Sequence, residues 1–81
     1  MKENNNSKRY EAVLGFNSKQ WWAYDNETNE YCDPPLKILN DITTYSNDVY
    51  EQEKYFNGLL KQNPDWLYDD GHRYNAEDYD I

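Results

Sequence analysis

The chain has 81 residues, with 16 Asp and Glu against 8 Lys and Arg and a net charge of −8. That length gives one domain with a small core, burying about 60 to 65% of the unfolded surface. The charge repels nucleic acid and anionic membranes, and no apolar run approaches the ~18 residues needed to span a bilayer.

In chain order, residues 1–8 read as a flexible polar lead. Tyr10 to Phe16 alternates, with Tyr10, Ala12, Leu14 and Phe16 on one face, which predicts a strand. Asn17-Ser18-Lys19 is a turn by composition. Gln20 to Tyr24 predicts a second strand with Trp21 and Trp22 on opposite faces. Asp25 to Asn29 reads as a polar loop, and Glu30-Tyr31-Cys32 as a short third strand. Asp33-Pro34-Pro35 ends that strand and starts a helix, with Asp33 or Pro34 at its cap. Leu36, Ile38, Leu39 and Ile42 form the apolar stripe of this helix, which runs to about Thr43.

A second helix follows, capped within Ser46–Asp48 and ending near Gln62, with Val49, Phe56, Leu59 and Leu60 inward. Gly58 weakens it by roughly 1 kcal/mol against Ala. Asn63-Pro64 breaks it, and Trp66 and Leu67 fold back onto the core. The fold class expected is α+β: a small three-stranded antiparallel sheet followed by two helices. Residues 9–68 form the single domain, and residues 69–81 an acidic tail. Nine Tyr and three Trp, each able to bury roughly 150 to 250 Å², supply volume that the few aliphatic residues do not.

The residue types needed for catalysis are sparse. One Cys and one His, Cys32 and His72, form neither a structural zinc set nor a thiol with an evident activator. Placing Gly71 at position 6 of a calcium loop puts Glu77 at position 12, but Trp66 and Tyr68 then fall where carboxylate ligands belong. No glycine-rich phosphate loop is present, so the reading is a non-enzyme with no cofactor and no metal. A single cysteine and no secretory signal point to the cytoplasm. Trp21, Trp22, Tyr24 and Tyr31 would make a stacking platform for single strands only in a basic groove, and Lys19 alone flanks them. Direct nucleic-acid binding is therefore not expected.

What remains is the distribution of acids. Residues 1–40 carry six acids against five bases, and residues 41–81 carry ten against three. Asp48, Glu51 and Glu53 open the second helix; Asp65, Asp69, Asp70, Glu77, Asp78 and Asp80 follow it. Carboxylates three or four residues apart on a helix lie about 5 to 6 Å apart at Cβ, a scale comparable with phosphates along a nucleic-acid strand. The same residues equally suit a solvated, solubilising surface.

In length, charge and composition the chain resembles the small acidic inhibitors that phages and mobile elements encode: anti-CRISPR proteins, anti-restriction proteins and uracil-DNA glycosylase inhibitors. That resemblance implies a DNA mimic whose partner is a basic nucleic-acid-binding protein, a nuclease or CRISPR effector. The nine carboxylates above would meet the partner's Arg and Lys, with Trp21 and Tyr24 as apolar anchors. The alternative is an accessory interaction module using the aromatic hairpin. A monomer is the expected state, with dimerisation through an aromatic edge strand open.

Overall fold

The computed structural model describes residues 8–81; the expected flexible lead lies outside them, apart from Lys8. Four strands form one antiparallel sheet in the order β1 (Tyr10–Leu14), β2 (Trp21–Asp25), β3 (Glu30–Cys32) and β4 (Arg73–Asn75). The register pairs Ala12 with Ala23, Ala23 with Cys32 and Cys32 with Arg73, which fixes one face across the whole sheet. Lys19 (φ 62°) closes the β1–β2 turn and Asn29 (φ 60°) the β2–β3 turn. The left-handed backbone suits Asn far better than Lys.

Helix α1 (Leu36–Tyr45) begins one residue after Pro35, which takes the cap position without a side-chain hydrogen bond. The cap expected at Asp33 or Pro34 is therefore corrected. The Asp33 N–H donates to the His72 carbonyl and so belongs to the β3–β4 ladder. Helix α2 (Val49–Leu60) starts as expected at Asp48, whose carboxylate accepts from the Glu51 N–H at 3.2 Å. It runs unbroken through Gly58. Two 3₁₀ turns, Asp65–Tyr68 and Asp70–His72, carry the chain to β4.

Because strand side chains alternate, the sheet has two apolar faces. On one, Tyr10, Trp21, Ala23 and Cys32 pack against Ile42, Phe56, Leu60 and Leu67, with Ile38, Leu39, Leu59 and Trp66 partly buried around them. Trp66 and Leu67 do fold back, and Trp66 lies parallel to Phe56 at 6.3 Å. On the other face Trp22 is ringed edge-on by Tyr31 and Tyr74, and Tyr79 tilts against it at 5.8 Å. Each such pair adds about 0.5 to 1.5 kcal/mol beyond its area.

Four expectations are corrected by this packing. The sheet has four strands, and residues 69–81 are no free tail. Arg73–Asn75 pairs with β3, Tyr79 stacks on Tyr74 at 4.4 Å, and the Ile81 carbonyl accepts from the N–H groups of Asn17 and Ser18. Asp25 belongs to β2, not to a polar loop. Leu14, Phe16, Leu36 and Val49, expected in the core, are exposed: β1 ends at Leu14, Phe16 lies in the turn, and Leu36 and Val49 are the first residues of their helices.

Candidate functional site

The charges sort into two populations, and the sorting starts at Asp25. Its side chain is 0% exposed, yet it lies between both arginines of the chain. Arg9 closes on it as a fork, Nε to Oδ1 and Nη2 to Oδ2, each at 3.2 Å. Arg73 donates from the other side and also reaches Glu30 Oε1 at 2.8 Å, Thr28 Oγ1 at 3.0 Å and the Leu67 carbonyl. The Glu27 N–H adds a further donor at 2.9 Å.

Burial alone would push the Asp25 carboxyl up, but the hydrogen bonds from Arg9, Arg73 and the Glu27 N–H outweigh it and hold the carboxyl at about 2. Arg73 likewise stays charged, since its bonds to Glu30 and Asp25 overcome the cost of burial. Arg is the cation suited to such a forked, buried role. This cluster joins β2, β3, β4 and the first 3₁₀ turn, and it engages both arginines of the chain, Arg73 almost buried and Arg9 partly exposed. Sequence reasoning missed it, because Asp25 opens a run of polar residues. The one available signal was that a chain so rich in acids contains just two Arg.

The second population is the nominated acids. Asp48, Glu51, Glu53, Asp65, Asp69, Asp70, Glu77, Asp78 and Asp80 are all exposed. Among the described residues, Asp69 is the one member with a basic partner, His72 Nε2 at 3.5 Å. Asp48 and Asp69 also cap local turns, accepting from Glu51 and Gly71 respectively, and Glu77 accepts from Asn29 Nδ2 at 3.3 Å.

The structure does not gather the nine into one row. Asp48, Glu51 and Glu53 sit at the start of α2, Asp65 opens the first 3₁₀ turn, and Asp69 and Asp70 precede β4. Glu77 and Asp78 follow β4, and Asp80 adjoins Ile81 at the β1–β2 turn. The open edge of β4 is blunted by its neighbours. The Arg73 N–H bonds back to Asp70, and the Asn75 carbonyl accepts from Asp78 and Tyr79. On the opposite edge the Ala12 N–H is taken by Asn57 Oδ1 at 2.9 Å. These occupied groups weaken the case for edge-strand dimerisation.

Of the two aromatic anchors, Trp21 is corrected. Trp21 is 5% exposed and its indole N–H is held by Gln52 Oε1 at 3.0 Å, so it is a core residue. Tyr24 is half-buried, with its hydroxyl on Asn29 and its ring against Tyr31 at 5.4 Å. Trp22, also buried, donates to Ser18 Oγ at 2.8 Å. The hairpin's indoles therefore hold the fold together and are not presented to a partner.

Cys32 is buried, with its thiol toward the Leu67 carbonyl, and burial pushes it up to about 11 against the pull of Arg73. Its thiolate is scarce at neutral pH, which makes it a poor nucleophile. Among the described residues no three His, Cys, Asp or Glu side chains are grouped to hold a metal ion, and no helix is long and apolar enough to cross a membrane. No protein-family model, curated protein or solved structure matches the chain.

Proposed function

We propose that this chain is a non-catalytic inhibitor that occupies the cationic, nucleic-acid-binding surface of another protein, in the manner of the phage-encoded acidic inhibitors it resembles, anti-CRISPR proteins among them. One observation carries the reading: both arginines are consumed on Asp25, while eight of the nine nominated carboxylates have no basic partner among the described residues. A field left unneutralised by its own chain favours association with a surface rich in Arg and Lys, and steers encounter with it. The acids are distributed over several elements, so the mimicry is of a charged surface and not of one regular phosphate row.

The test is capture from candidate host lysates with the wild type and with a variant reversed at Asp70, Glu77, Asp78 and Asp80. These four bear no basic partner, and of their side chains only Glu77's carries a hydrogen bond, at 3.3 Å, among the described residues. Capture is compared at about 0.1 M and about 1 M salt, where the screening length falls from about 10 Å to about 3 Å. The reading expects a nucleic-acid-binding protein retained at low salt, released at high salt, displaced by duplex DNA, and lost in the reversed variant. Capture indifferent to salt, DNA and charge reversal would refute it.

A further inference from the structure

One surface feature is not explained by charge. Two adjoining hollows of about 310 and 280 Å³ share Leu14 and Lys19 and form a single groove at the β1–β2 turn. Its walls are Leu14, Phe16, Leu39 and Val49, and Trp21 lies at its base. In a chain with few aliphatic residues, Phe16 is 81% exposed, Val49 46% and Leu14 44%. Exposed apolar side chains converging on one concavity mark an interaction site more often than scattered ones do.

The base is preorganised. Gln52 accepts from Trp21 Nε1 and donates to the Ser46 carbonyl at 2.7 Å, while Gln20 donates to Asp33 Oδ1 at 2.8 Å. A site whose polar groups are already satisfied loses little freedom when an apolar group enters.

We propose that this groove receives an apolar side chain presented by a cationic segment of a partner protein; the inference rests on the cationic partner proposed above and adds where its anchor seats. The charge around the groove selects the occupant. Val49 lies between Asp48 and Glu51, Gln20 leads to Asp33, and Asp80 precedes Ile81, whose carbonyl is bound by the same turn. Against these four carboxylates stands Lys19, whose ammonium rests over the Phe16 ring at 4.6 Å. A second copy of the chain would bring another net −8 to an acidic rim and be repelled. The hollows sit at the small end of the range for small-molecule sites and lack convergent polar groups, which favours one or two side chains of a larger partner.

The test uses the full chain and three synthetic peptides: a Lys–Leu peptide, an oligolysine of equal charge, and a Glu–Leu peptide. Amide shifts in ¹H–¹⁵N spectra report the site. The Lys–Leu peptide is expected to shift Leu14, Phe16, Leu39 and Val49. Leu14→Ser and Val49→Ser are each expected to weaken it about tenfold while leaving oligolysine binding unchanged, and native amide dispersion in each variant checks that the fold is retained. Shifts confined to the acids with both cationic peptides would overturn the groove and leave the charge reading intact. Equal binding of the Glu–Leu peptide would overturn the charge selection of the occupant. Concentration-dependent self-association abolished by Phe16→Ser would replace the partner with a second copy. Silence toward both cationic peptides would overturn the groove and the proposed function together.

Discussion

Asp25→Asn keeps the shape of a buried side chain and removes one charge from between two guanidinium groups. An amide turns two donors toward a site where every neighbour is already a donor, so at least one hydrogen bond is lost outright. Breaking a buried ion pair by removing one partner costs about 3 to 5 kcal/mol. Arg9 is 37% exposed and regains water when released, so its share is screened; Arg73, at 9%, has no such escape. The lower end, about 3 kcal/mol, is the expectation.

For 81 residues at roughly 0.05 to 0.15 kcal/mol each, total stability is about 4 to 12 kcal/mol, so the loss would consume much of it. Urea unfolding followed by tryptophan fluorescence measures it directly, because Trp21 and Trp22 are both buried. The midpoint should fall with an unchanged denaturant slope. The pH dependence supplies a second reading. The folded carboxyl lies at about 2 against an ordinary 3.8, so its contribution is complete above pH ~4 and is lost as pH falls toward 2. Its size is about 2 kcal/mol. The Asn variant should lack that portion of the acid transition. A loss under about 1 kcal/mol, or an acid profile identical to wild type, would refute the argument that this cluster anchors the sheet.

Four further outcomes follow from the packing. Gly15→Ala should destabilise by about 1 to 3 kcal/mol, because its Cβ would overlap the Ser18 side chain and stand 2.7 Å from the Ile81 carbonyl oxygen; Gly58→Ala, with nothing within 4 Å, should stabilise by about 0.5 to 1 kcal/mol, both read from urea midpoints. Cys32 should resist iodoacetamide at pH 8 in the native state and react readily in urea; rapid native labelling would contradict its burial and raised pKa. Tyr79→Ala should shift tryptophan emission to the red, since Tyr79 covers Trp22, and an unchanged spectrum would show that residues 76–81 do not close that face.

How much of this was legible in the sequence follows from the range of the interactions. The first three strands and both helices are written in local alternation and helical spacing, and Asp48 marks the start of α2 plainly. Strand β4 is not, because Arg73-Tyr74-Asn75 is too short to show a period and sits between Asp, Gly and His. It exists through pairing with β3, where Arg73 lies opposite Cys32, and through the side-chain salt bridges of Arg73 to Glu30 and Asp25. Trp21 was misread as a partner anchor for a related reason: alternation shows that two adjacent indoles face opposite ways, not that both faces are covered. Trp21 lies on the helix side against Phe56, and the other face, with Trp22, is covered by Tyr31, Tyr74 and Tyr79. The groove escaped notice because Leu14 and Val49 have the character of core residues, and only tertiary packing leaves them outside.

The docking of Ile81 beside Gly15 has a practical geometry. Anything fused after residue 81, whether an affinity handle, a fluorophore or a surface tether, would emerge at the β1–β2 turn next to Phe16 and would screen the groove from whatever approaches it. A handle placed ahead of Lys8 would leave near Asp25, at the opposite end of β1. The two orientations of the same immobilised protein should therefore report different affinities for one partner, and the side of attachment decides which surface is being measured.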